Sequence, residues 1–143
     1  MLTMKIGKDI FDYINNIGNP KAKQTMKKRV QEYLPKEENV DKLEQIDGKL
    51  YFAVFSAEWS PDCQAHIPSL AKLLLAARNS NLVVKIVDFD ENRDIAEELG
   101  VLRIPTIIVY DKGWHELGRF VEKPQRYGTL EEEICAIIEK PSK

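Results

Sequence analysis

Apolar positions change their period along this chain, and the changes mark its elements. Ile6, Ile10, Phe11, Ile14 and Ile17 recur at helical spacing, so residues 3–17 predict an amphipathic helix. Asn19-Pro20 reads as an N-cap followed by proline at the first helical position. The helix it opens puts Ala22, Met26, Val30 and Tyr33 on one face and ends at Pro35. Its other faces carry Lys21, Lys23, Lys27, Lys28 and Arg29, which read as solvated. Val40, Leu43 and Ile46 lie three apart in a charged stretch and fit a short third helix, followed by an Asp47-Gly48 turn.

From Lys49 the pattern is different. Leu50 to Phe55 is a short continuous apolar run, the mark of a buried strand. A helix from about Ser60 to Asn79 follows, with Ile67, Leu70, Leu74 and Ala77 on one side. Leu82 to Phe89 is a second, valine-rich strand. Residues 93–99 predict a short helix closed by Gly100 in a left-handed position. Thr106 to Tyr110 predicts a third strand, Asp111-Lys112-Gly113 a turn, and residues 114–121 a fourth strand. Thr129 caps a last helix whose Leu130, Ile134, Ile137 and Ile138 face inward. Glu131, Glu132 and Glu133 sit in its first turn, where the helix dipole favours negative charge. The order is three helices, then β-α-β-α-β-β-α. A long helix between the first two strands implies a parallel pair with a right-handed crossover, and the tight turn implies a hairpin. The expected fold class is α/β: a mixed four-stranded sheet with flanking helices and an N-terminal helical extension.

Length and charge narrow the function. At 143 residues the chain can support one real core. Residues 1–39 are expected to form an extension packed on a domain spanning 40–143. The net charge of −2 gives the whole molecule no electrostatic case for nucleic acid or membrane. The charge is uneven: residues 1–36 carry eight Lys/Arg against three Asp/Glu, a net +5 that leaves −7 elsewhere. No apolar run has the length of a membrane helix, and the first residues lack a signal-peptide core. Cys63 and Cys135 are far apart in sequence, so a disulfide framework is not expected and a reducing, cytoplasmic setting is the default.

The chemistry gathers at Ala57-Glu58-Trp59-Ser60-Pro61-Asp62-Cys63, where the first strand meets its helix. Three further features keep order and spacing with it: Pro68, five residues past Cys63; Ile104-Pro105-Thr106; and the Asp111-Lys112-Gly113 turn. Together they resemble the thioredoxin family over about residues 40–140, leaving the N-terminal helices outside. The resemblance implies a thioredoxin-like fold, a redox-active centre at residues 60–63 and a cis-proline turn at Ile104-Pro105 facing it. It implies thiol–disulfide oxidoreductase activity in cell redox homeostasis, on a disulfide-containing protein or a small-molecule thiol. A thioredoxin-reductase-type electron donor would be the partner, with no cofactor and no metal.

The departures matter as much. Ser60 corresponds to the family's nucleophilic cysteine and Cys63 to its resolving one. Val54 and Ile86 correspond to the carboxylate and lysine that assist proton transfer. In a dithiol cycle a thiolate attacks a substrate disulfide and a second thiol releases the product. A serine hydroxyl lacks the acidity and needs an adjacent base. His66 and His115 are not positioned for that role in the sequence. His66 reads as a solvent-facing helical histidine, and Cys63 with His66 gives two ligands where a zinc site needs more. Ser-Pro-Asp by itself is also a good helix start. Cys63 and Cys135 are each expected to be buried, slow thiols.

Three functions remain open on the sequence. In the first, the chain is a thiol–disulfide oxidoreductase with Ser60 replacing the cysteine of a Cys-Pro-Asp-Cys motif, inactive as a dithiol reductase. In the second, it is a natural non-catalytic binding module that holds an extended peptide with Trp59, Pro61, Asp62, Ile104 and Pro105. The third is one-cysteine chemistry, which needs Cys63 exposed and acidic.

Overall fold

Leu50–Ser56 (β2) is apolar on both faces, and the fold is built around it. In the computed structural model, which describes residues 2–139, β2 lies at the centre of a five-stranded sheet ordered β1-β3-β2-β4-β5. Leu82–Asp88 (β3) pairs with it in parallel, with Val54 opposite Ile86 and Ser56 opposite Asp88. Thr106–Tyr110 (β4) pairs on its other side, antiparallel, and Glu116–Val121 (β5) extends the hairpin. These are the four strands expected from the sequence. Lys8–Asp9 (β1) adds a two-residue antiparallel edge on β3.

That edge strand corrects the single helix expected over residues 3–17. The segment divides into Leu2–Ile6 (α1), β1 and Ile10–Asn15 (α2). Gly7 is the cause. A Cβ there would stand 2.6 Å from Lys85 Cβ and 2.7 Å from the Thr3 carbonyl oxygen, so only glycine lets the chain run against β3. Asp9 then restarts the helix, its carboxylate accepting from the N–H groups of Phe11 and Asp12. The isoleucines still point inward: Ile10, Ile14 and Ile17 are buried in one cluster with β2 and β3.

Pro20–Glu32 (α3) starts as expected, with Asn19 Oδ1 accepting from Lys21 and Ala22. Its basic face is not wholly solvated, because Arg29 Nε donates to the Ala65 carbonyl at 2.8 Å and to Ser69 Oγ at 3.3 Å. Glu37–Glu44 (α4) follows. Pro61–Ala77 (α5) crosses from β2 to β3, with Ile67, Leu70, Ala71 and Leu73 fully buried. Each of the isoleucine and leucine side chains contributes about 1.5–3 kcal/mol by leaving water, and Ala71 less. Arg93–Glu98 (α6) ends at Gly100, whose φ of 72° is left-handed. Leu130–Glu139 (α7) is capped by Thr129, whose hydroxyl accepts from the Glu132 N–H at 3.2 Å. No helix among the described residues is long and apolar enough to cross a membrane.

Glu131 has a larger role than its place in the first turn of α7 suggests. It is 2% exposed. Its carboxylate accepts from the Tyr33 hydroxyl, from the Lys36 N–H at 2.7 Å and from Asn39 Nδ2 at 2.7 Å. One buried carboxylate thus ties the end of α3 and the start of α4 to the last helix. Removing it leaves buried donors unpaired, which costs more than the bonds themselves contribute. Glu131→Ala should lower unfolding free energy by about 2–4 kcal/mol, and Glu131→Gln by less, read from urea midpoints.

Candidate functional site at the β2–α5 junction

The C-terminal end of β2, the central strand, delivers residues 57–63 to one end of the sheet. Ser60 sits there as the N-cap of α5, with extended backbone (φ −79°, ψ 122°). Its Oγ accepts from the Cys63 N–H at 3.3 Å and its carbonyl from the Gln64 N–H at 2.9 Å. Pro61 takes the first helical position, where no N–H is needed. Pro68 lies inside α5 and is buried, with no N–H to give the preceding turn. Ser60 is 5% exposed and Cys63 is 0% exposed. The serine oxygen therefore faces the helix's free N–H groups, at the point where the dipole would stabilise a thiolate.

Cys63 itself is a poor nucleophile. Burial raises its thiol above the ordinary value, against smaller lowering contributions from hydrogen bonds to Ser56, Ser60 and the Ala57 backbone; the Asp62 charge adds to the rise. Cys135 is likewise buried, its thiol pushed up to about 11 mainly by desolvation. Both cysteines are free.

Trp59, by contrast, is 61% exposed. Its indole N–H donates to Asp90 Oδ2 at 2.6 Å, which holds the ring at the junction. That bond, with a second from Arg93, lowers the Asp90 carboxyl. Glu58, beside it, accepts from the backbone N–H groups of Gly18 and Asn19, each at 3.2 Å. This locks the turn before α3 to the junction.

The Ile104–Pro105 peptide bond is cis. Ile104 shares the buried cluster that contains Cys63, and Leu102, two residues earlier, is 83% exposed. The Thr106 hydroxyl donates to the Arg103 carbonyl at 2.6 Å, and the Pro105 carbonyl accepts from Glu122 at 2.7 Å. Thus Ser60, Pro61, Asp62 and Cys63 meet on one turn of helix, Trp59 stands outside it, and Ile104 is buried in the same cluster as the thiol.

Two residues differ from expectation or were missed. His66 does not face solvent freely; it is half-buried, edge-on to Phe120 with ring centroids 5.3 Å apart, and burial lowers its pKa. Its imidazole therefore favours the neutral form and adds no cation beside Cys63. Tyr13 lies in the stretch that predicts the first helix, with no chemistry assigned to it. Its hydroxyl lies 3.0 Å from Ser56 Oγ. It also lines a cleft of about 440 Å³ together with Asn16, Glu58, Trp59, Asp88 and Asp90. Burial raises Asp88, the strand partner of Ser56, above the usual carboxylate value. Among the described residues no group of three or more His, Cys, Asp or Glu is arranged to hold a metal ion.

With this geometry in view, comparison with known proteins is decisive for class. A thioredoxin family model matches residues 7–134, and the chain belongs to the thioredoxin family. The match reaches through α2, α3 and α4, which the sequence resemblance left outside. An H-type thioredoxin of Brassica oleracea is 35% identical over 95 residues, covering 66% of this chain and 70% of its own. The crystal structure of a protein of unknown function from Pseudomonas aeruginosa superposes with a TM-score of 0.81 at 22% identity, covering 96% of this chain and 95% of the other. Fasciola hepatica thioredoxin gives 0.51 at 24% identity, over 71% of this chain and 86% of its own. These two likenesses show the fold alone. Family and fold together support a function of the thiol–disulfide oxidoreductase type in broad terms.

The buried thiols fix a pH dependence. A thiol raised by burial keeps its proton in the folded chain after the unfolded chain has lost it. Stability is then fully present below the ordinary thiol value of 9.0 and falls as pH rises through the folded values, about 11 for Cys135. Urea midpoints should decline from pH 9 to pH 11, less steeply in Cys135→Ala. At neutral pH, iodoacetamide should label Cys63 about 100-fold or more slower in the folded than in the unfolded protein.

Proposed function

We propose that this chain is a thioredoxin-fold protein of thiol–disulfide oxidoreductase lineage in which Ser60 fills the nucleophile's place. As it stands it does not run the dithiol cycle. The observation that carries this is the Ser60 cap. Its oxygen occupies the point at the helix N-terminus where an attacking sulfur would be acidified, and the next sulfur, Cys63, is closed off behind it.

In the active form the steps balance simply. A thiolate at position 60 attacks one sulfur of a substrate disulfide, forming a mixed disulfide and expelling the other sulfur as a thiolate. Cys63, deprotonated, then attacks the sulfur at position 60. A 60–63 disulfide forms and the reduced substrate leaves with both electrons. An external reductant, of the thioredoxin-reductase type or a small thiol, returns the pair to the dithiol state. With an oxygen at position 60 the first bond cannot form.

The surface that would hold the substrate does not depend on that sulfur. Trp59 and Leu102 are exposed, Pro61 and Asp62 form the helix start, and Ile104-Pro105 stands just before the β4 ladder, which begins at Thr106. An extended segment of a disulfide-bearing protein fits this platform. The two free cysteines suit a reducing, cytoplasmic setting.

A natural binding module is the second reading, favoured by one observation. Val54 and Ile86 are packed core residues facing each other across β2 and β3, where the family's enzymes carry a proton-transfer pair. One-cysteine chemistry through Cys63 is disfavoured, because that thiol is enclosed and raised.

The assay that separates these is turnover. Ser60→Cys should reduce a protein disulfide catalytically with dithiothreitol as recycling reductant, while the Ser60 protein adds nothing to dithiothreitol alone. If Ser60→Cys gives no turnover with any common reductant, the module reading replaces the enzyme reading.

A further inference from the structure

Cys63 is enclosed, yet the dithiol cycle proposed above requires it to lose a proton in the middle of turnover. The paired sheet positions Val54 and Ile86 offer no base for this: Val54 is 0% exposed and Ile86 1% exposed, and both are hydrocarbon. Three polar side chains bear on the thiol instead. Ser60 caps the helix in front, and Asp62 is one residue back on α5. Ser56, at the end of β2, is 0% exposed, and its hydroxyl works against the rise that burial imposes on the thiol. Ser56 is not an endpoint. Its Oγ is 3.0 Å from the Tyr13 hydroxyl, and either oxygen can be the donor. Tyr13 in turn lines the cleft shared with Glu58, Asp88 and Asp90, which opens to solvent.

We propose that Tyr13 is a positioning residue for Cys63, which together with Ser56 forms a proton path from the enclosed thiol to the α2–β3 cleft. A hydroxyl is both donor and acceptor, which is what each station of such a path needs. The thiol proton passes to Ser56 Oγ as Ser56 gives its own proton to the Tyr13 oxygen. Tyr13 releases its phenolic proton to water in the cleft. Each oxygen gains one proton and loses one; Cys63 becomes a thiolate and the solvent gains the proton. The thiolate then attacks the sulfur at position 60. Hydrogen bonds from Ser56 favour the charged sulfur, and Tyr13 orients that hydroxyl. The charged groups facing the path are Asp62 on α5, Glu58 after β2, and Lys8, Asp88, Asp90 and Glu91 around the cleft; Asp62, Asp88 and Glu58 disfavour additional negative charge, and Lys8 sets a positive charge against them. Water, not a carboxylate, is the terminal acceptor, because no carboxylate is hydrogen-bonded to Tyr13 among the described residues.

This inference rests on the reading of position 60 as the attack site, and its test keeps the two apart. In Ser60→Cys protein, a chromogenic aromatic disulfide releases one thiol when residue 60 attacks and a second when Cys63 resolves. Adding Tyr13→Phe or Ser56→Ala should slow the second release about 10-fold or more and leave the first unchanged. The pH profile of the second release should move to higher pH. A second release with unchanged rate and profile overturns the path while leaving the proposed function standing. Equal slowing of both releases, with a lower urea midpoint, also overturns it and makes Tyr13 purely structural. If Ser60→Cys shows no first release, the reading of position 60 fails. The pairing of Tyr13 with the thiol is then decided in the Ser60 protein, by NMR titration of carbon-labelled Cys63. A higher midpoint in Tyr13→Phe supports it, and an unchanged midpoint overturns it.

Discussion

The hydrogen bond from the Cys63 N–H to Ser60 Oγ sets the geometry of the whole functional end of this protein. It starts α5 at a fixed residue, directly after the central strand. That start fixes the direction of the helix dipole, buries Cys63 in the first turn and leaves Trp59 outside it. Neighbouring segments are fastened to the same turn: Glu58 holds the entry to α3, and Asp90 holds the Trp59 indole. A serine caps as well as any residue can, so the fold keeps its junction whether or not the position carries redox chemistry.

Much of this end was legible in the sequence. A continuous apolar run followed by Ser-Pro-Asp can scarcely be anything but a buried strand feeding a capped helix. The spacing of Pro68, Pro105 and the Asp111 turn fixed the architecture around it. What escaped was set by contacts distant in sequence. Gly7 reads as a tolerated residue in a helical pattern until β3 is seen to pass within 3 Å of where its side chain would be. Glu131 reads as a dipole-complementing charge, because its three donors come from residues 33–39. Tyr13, three residues past Ile10 and four before Ile17, keeps the helical period of the isoleucines and so reads as packing; nothing local marks it as the partner of Ser56. His66 turns inward because Phe120, across the sheet on β5, provides an aromatic face.

The N-terminal helices take on a different meaning in this light. They are not an appendage to a finished core: Ile10, Ile14, Ala22 and Met26 share a cluster with β2, β3 and α5. Through Glu58 and Ser56 they also reach the back of the junction itself. Val54 and Ile86 face each other as hydrocarbon in the sheet, and the added layer brings the Tyr13 hydroxyl to Ser56 at the end of β2.

The central claim is spatial: the Ser60 side chain stands where a sulfur would meet Cys63. Its most direct measurement is the redox state of Ser60→Cys protein after mild air oxidation, read by alkylation and peptide mass spectrometry. The account predicts one intramolecular 60–63 disulfide, formed in folded protein and reversed by dithiothreitol. Folded protein in which residue 60 is fully alkylated while Cys63 stays a protected free thiol would contradict it.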